Sequence, residues 1–88
     1  MGIKGIILHK QFEKSYARQK ENIRLAFKKR LSLFIDNPHH PSLKNHGLHG
    51  EWADYASINI TGDIRAIYKI DDEVAIFVAI GSHGELYE

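Results

Sequence analysis

The stretch Tyr55-Ala56-Ser57-Ile58-Asn59-Ile60-Thr61-Gly62-Asp63-Ile64-Arg65-Ala66-Ile67-Tyr68-Lys69-Ile70-Asp71-Asp72-Glu73-Val74-Ala75-Ile76-Phe77-Val78-Ala79-Ile80 reads as three β-strands. Ala56, Ile58 and Ile60 alternate with Tyr55, Ser57 and Asn59. Ile64, Ala66, Tyr68 and Ile70 alternate with Arg65, Ile67 and Lys69, and Val74, Ile76, Val78 and Ile80 alternate with Ala75, Phe77 and Ala79. Successive side chains of a strand point to opposite faces, so each run has an apolar side to bury. Thr61-Gly62-Asp63 and Asp71-Asp72-Glu73 have the length of hairpin loops, which makes the run an antiparallel meander. The face that carries Tyr55, Ser57, Asn59, Arg65 and Lys69 is polar and expected to be partly open.

The cover for the apolar face lies upstream. From Gln11 the apolar spacing becomes helical: Phe12 and Tyr16, then, after the polar break Lys20-Glu21-Asn22, a stripe of Ile23, Phe27, Leu31 and Phe34. Asp36-Asn37-Pro38 ends the second helix, because proline lacks the N–H and pushes the residue before it out of the helical region. Residues 3–8 form a short apolar run of strand length, and residues 38–50 are a Pro-, Gly- and His-rich connection. The order β-α-α-β-β-β predicts one small α+β domain over residues 1–88, an antiparallel-rich sheet covered on one face by a helical hairpin.

At 88 residues with 43% hydrophobic content, the chain has material for one core. No run approaches the roughly eighteen apolar residues of a membrane span, and the N-terminal run is shorter than a signal peptide's apolar region, so a soluble, cytoplasmic protein is expected. Met1-Gly2 is set aside as an acylation signal because position 6 is Ile, where that signal needs Ser or Thr. The chain has no cysteine, which excludes disulfides and thiolate chemistry. Net charge is +1 but unevenly spread. Residues 1–50 hold ten cations against three acids, and residues 51–88 hold two against eight. Arg18, Lys20, Arg24, Lys28, Lys29 and Arg30 fall largely off the apolar helical stripe, as a solvated face or a phosphate-binding surface would require.

Three blocks carry a resemblance. His46-Gly47-Leu48-His49-Gly50-Glu51-Trp52-Ala53-Asp54-Tyr55, then Asp63-Ile64-Arg65-Ala66-Ile67-Tyr68-Lys69-Ile70, then Gly81-Ser82-His83-Gly84-Glu85-Leu86-Tyr87 resemble, in order and spacing, the YafQ branch of the RelE/ParE toxin superfamily. The resemblance implies the β-α-α-β-β-β fold reached above from periodicity. It also implies a type II toxin–antitoxin toxin that cuts mRNA, usually on the ribosome, and is held inactive by a cognate antitoxin. The expected partners are that antitoxin and mRNA, with no membrane and no obligate homo-oligomer.

Cleavage that uses the RNA's own 2′-OH as nucleophile needs a base, an acid and a cation for the phosphate, and no cofactor. By resemblance, His83 and His46 stand at the family's catalytic histidines, Asp63 at an aspartate that orients one of them, and Tyr87 at an aromatic that stacks on a base. Arg65 suits phosphate binding because a guanidinium can grip two oxygens at once. Lys69 shares its face and adds positive potential, and Asn59 lies on that face as a further RNA contact. Trp52 and Tyr55 are read as packing residues. The chain departs from the branch at Asn59, where histidine is usual, at Ala79, where arginine is usual, and at Ile64, where tryptophan is usual. Two other readings stay open: a ParE-like toxin that binds a protein such as gyrase, and a nuclease-dead antitoxin-binding module. His39, His40, His46 and His49 cluster without the helical spacing or cysteines of a zinc site, and no metal is assigned.

Overall fold

The computed structural model describes residues 3–87; Met1-Gly2, weighed above for acylation, lies outside them. The elements are β1 (Gly5–Leu8), α1 (Lys10–Ala17), α2 (Glu21–Asp36), β2 (His46–Gly47), β3 (Ala56–Thr61), β4 (Ile64–Asp71), β5 (Val74–Ser82) and α3 (His83–Tyr87), with short 3-10 turns at Pro41–Leu43 and Gly50–Trp52. The sheet runs β1-β5-β4-β3-β2. Strands β2 to β5 pair antiparallel, and β1 joins β5 in parallel. The chain therefore leaves the sheet at one edge, crosses it with α1 and α2, and re-enters at the other edge. That path makes the helical hairpin a cover for the sheet. It is the expected α+β fold.

Local chemistry sets the helix limits. His9 precedes α1, and its Nδ1 accepts the Gln11 N–H at 3.0 Å, supplying one of the bonds a helix start lacks. Asn37 closes α2 ahead of Pro38, as expected from the proline. The hairpin is tied internally by the Tyr16 hydroxyl, which donates to the Arg24 carbonyl at 3.2 Å, and to the sheet by Arg30 Nε, which donates to the Ile60 carbonyl at 3.1 Å.

The core is aromatic. Phe12, Phe27 and Phe34 from the predicted stripe are buried with Ile58, Ile60, Ala66, Tyr68 and Phe77. Phe77 is the hub, with ring centroids 5.4 to 5.8 Å from those of Phe12, Phe27, Phe34 and Tyr68. Simple alternation puts Phe77 and Ile80 on opposite faces of β5, yet both are in the core. The cause is a bulge. Ala79 pairs with Ile67 and Phe77 with Tyr68, so Val78 is an extra residue and the phase of β5 shifts by one.

Two elements go beyond the expected order. Strand β2 has two residues and α3 has five, too short for apolar periodicity to reveal. On the face opposite the helices, expected to be partly open, Ser57 and Ile67 are both fully buried.

Candidate functional site

On that second face lies a cavity of about 430 Å³, lined by residues 46–49, Trp52, Arg65, His83 and Tyr87. Its residues come from β2, a 3-10 turn, β4 and α3, so three separated parts of the sequence meet there. His46, Arg65, His83 and Tyr87, singled out above, are all on its wall.

Arg65 is a held cation. Its Nε donates to the Ser57 hydroxyl at 2.8 Å, and one terminal nitrogen donates to the Lys44 carbonyl at 2.8 Å and the Ser57 carbonyl at 3.2 Å. The planar fork leaves its other terminal nitrogen without a protein acceptor among the described residues. Ser57 is the fully buried side chain that fixes this orientation. It shares strand parity with Asn59 and Tyr55, but its partnership with Arg65 depends on the β3–β4 register, which the sequence alone does not state.

His46 follows a segment pinned twice by β4. Besides the Arg65 bond to the Lys44 carbonyl, the Tyr68 hydroxyl donates to Asn45 Oδ1 at 2.8 Å, and Asn45 Nδ2 donates to the Pro38 carbonyl at 2.8 Å. Lys44 takes a left-handed conformation (φ 45°), which turns the chain into β2. Burial raises the Tyr68 pKa above its ordinary value, partly opposed by the Asn45 bond, so the phenol remains a donor. His46 Nδ1 lies 3.1 Å from the Gly47 carbonyl oxygen. A carbonyl oxygen can only accept, so a hydrogen bond in that contact uses Nδ1 as its donor.

His83 is positioned by a reciprocal cap. The Ser82 N–H donates to Glu85 Oε1 at 2.7 Å, and the Glu85 N–H donates to the Ser82 hydroxyl at 3.3 Å. This Ser-x-x-Glu arrangement is a capping box and starts α3 directly at His83. Gly81 makes room for it, since a Cβ there would stand 2.9 Å from Glu85 Oε1. One helical turn on, the Tyr87 ring packs tilted against His83 with centroids 4.7 Å apart, and its buried hydroxyl has no partner among the described residues.

Other residues singled out from the sequence lie outside the cavity lining. Asn59 Nδ2 donates to the Gly62 carbonyl at 3.1 Å and so serves the β3–β4 turn. Asp63 is exposed in that turn. The Lys69 ammonium sits 5.8 Å from the centroid of the Tyr55 ring, as a cation–π pair. Trp52 packs edge-on against Tyr55, as expected, but it also lines the cavity, a position its sequence context did not indicate. Leu48 and His49 are further wall residues, legible only once the 46–49 segment is seen to fold over this face. Among the described residues, no group of three or more His, Asp or Glu could hold a metal ion.

The family model described as the bacterial toxin of type II toxin–antitoxin system, YafQ, matches residues 4–88. A crystal structure of YafQ from E. coli is 27% identical, with a TM-score of 0.77 over 94% of this chain and 97% of that one. An E. coli DinJ–YafQ complex is similar at 27% identity and a TM-score of 0.74, over 94% of this chain and 97% of that one. A copper-bound mutant toxin from Helicobacter pylori is similar at 25% identity and a TM-score of 0.72, over 99% of this chain and 100% of that one. No curated protein matches the chain.

Proposed function

The chain belongs to the YafQ family of type II toxin–antitoxin toxins, and from that premise we propose that it is a cytoplasmic mRNA endoribonuclease that inhibits translation and is neutralised by a cognate antitoxin. The observation that carries this reading is the single cavity on which His46, Arg65, His83 and Tyr87 converge. One histidine takes the 2′-OH proton, and the 2′-oxygen attacks the adjacent phosphorus. The P–O5′ bond breaks, and the other histidine delivers a proton to the departing 5′-oxygen, leaving a 2′,3′-cyclic phosphate. Two imidazoles suit these opposite tasks because histidine titrates near neutrality, one being needed neutral and the other protonated.

Arg65 stabilises the charge that builds on the phosphate. Its three hydrogen bonds hold it in place before substrate arrives, and its free terminal nitrogen supplies the contact. Tyr87 offers a ring face to a base. Asn59, Asp63 and Lys69 have no part in the step as proposed, Lys69 adding positive potential alone. With Ala79 where the branch usually has arginine, the burden of phosphate charge falls on Arg65.

The test is expression in a translation extract with mRNA ends mapped by primer extension, for the natural chain and for His83→Ala and Arg65→Ala. New ends that disappear in both variants are expected, and repeating the reaction on purified RNA reads the dependence on ribosomes. Cleavage indifferent to both substitutions overturns the mechanism. Toxicity without any new ends overturns the nuclease reading in favour of a protein target.

A further inference from the structure

A second cavity, about 690 Å³ and larger than the first, opens at the corner between the end of α1, the start of α2 and α3. Arg18 and Lys20 stand on its wall. Among the described residues neither side chain has an ion pair or a hydrogen bond, and the ion pair present there joins Lys4 to Glu73 elsewhere. The wall also carries one carboxylate, Glu85, which is engaged by the Ser82 N–H. Ile23, Ile64 and Leu86 contribute apolar surface. Trp52 lines this cavity and the histidine cavity alike, so the two are neighbours across one indole.

We propose that this second cavity is a nucleotide subsite, taking the nucleotide one step beyond the pair joined by the scissile bond as the RNA strand runs from the histidine cavity across Trp52. The proposal rests on the reading of the first cavity as an RNA-cleaving site. Unpaired cations beside an aromatic ring and an apolar floor match how proteins hold single strands, with phosphates on the cations and bases against rings. The volume lies within the roughly 300–1,000 Å³ of small-molecule sites. Charge favours RNA as occupant, and continuity through Trp52 gives the strand its direction.

Trp52 is the chain's single tryptophan, so its fluorescence reports on the boundary between the cavities without labelling. The probes are a dinucleotide and a tetranucleotide of RNA, each with a 2′-deoxy sugar at the scissile position to prevent cleavage. The tetranucleotide should bind about tenfold more tightly than the dinucleotide. In the double variant Arg18→Ala/Lys20→Ala the two affinities should become equal, and the slope of log K against log salt for the tetranucleotide should fall by about 0.7, the loss of one single-strand phosphate contact. Both residues are exposed, so the variant should keep the melting temperature of the parent. A double variant that retains the tetranucleotide's advantage overturns the subsite and leaves the first cavity's reading standing. A parent protein that binds neither oligonucleotide and leaves mRNA intact overturns both. Weakened binding of purified antitoxin with unchanged RNA affinity overturns the subsite and makes this corner a protein interface.

Discussion

The two faces of the sheet are buried by different physics. Toward the helices, Phe77 sits among four other aromatic rings, and the contacts are dispersive, depending on volume and shape. On the other face, the Arg65 side chain makes directed hydrogen bonds to the buried Ser57 hydroxyl and to main-chain carbonyls. Tyr68 makes both kinds of contact, its ring packed on Phe34 and Phe77 and its hydroxyl reaching the segment before His46. The difference teaches that a change on the helical face should be felt as lost stability. A change on the polar face should be felt first as lost geometry.

The largest expected effect tests the volume side. Phe77→Ala should cost about 3–5 kcal/mol, a large part of the roughly 5–15 kcal/mol that holds a small domain together, and urea denaturation at neutral pH measures it. A cost under about 1 kcal/mol would break the account of Phe77 as hub. The polar side is tested by Arg65→Lys, which keeps the charge and loses the planar fork. Cleavage should fall by about 10² to 10³ in rate while the melting temperature stays within a few degrees. A full rate in the lysine variant would show that charge alone suffices.

Tyr68→Phe sharpens the comparison because it leaves the ring and removes the bond to Asn45. A loss of about 1–2 kcal/mol is expected. The sign of its pH dependence follows from burial. The native state holds the phenolic proton more tightly than the unfolded chain, so its stabilisation is complete below the ordinary value of 10.0 and is lost as pH rises through the higher native value. Denaturation midpoints of the natural chain should fall above pH 10, more steeply than those of the phenylalanine variant. Parallel slopes would contradict the assignment.

The smallest effect lies away from both faces, in the β4–β5 loop. Asp72 and Glu73 both have positive φ, at 54° and 67°. A two-residue loop of this kind favours Asn-Gly. The double substitution Asp72→Asn/Glu73→Gly should therefore raise stability by about 1 kcal/mol, less whatever the exposed Lys4–Glu73 ion pair contributes, with cleavage unchanged. A lower melting temperature would mean that the ion pair outweighs the strain.

Much of this architecture is written in local pattern. The alternation in residues 56–70 foretells β3 and β4, the spacing of Phe12, Phe27 and Phe34 foretells the helical cover, and Pro38 foretells the end of α2. These depend on period and backbone sterics, which act over a few residues. The bulge at Val78 escapes such reading, because it is stabilised only when Phe77 meets rings from α1, α2 and β4.

The same division runs through the site. Composition and motif spacing by themselves determined that the chain is a cysteine-free α+β fold with two histidines, an arginine and a terminal aromatic set apart in separate blocks. Only the tertiary structure decided that His46, Arg65, His83 and Tyr87 share one cavity, that Asn59, Asp63 and Lys69 lie beyond it, and that Ser57, Asn45 and Glu85 hold the others in place. The reason is physical. Hydrogen bonds between residues eight to twenty-three positions apart, such as Arg65 with Ser57 and Lys44 or Tyr68 with Asn45, exist only once strand register and loop path are set. Register is a property of the paired sheet, carried by no single strand.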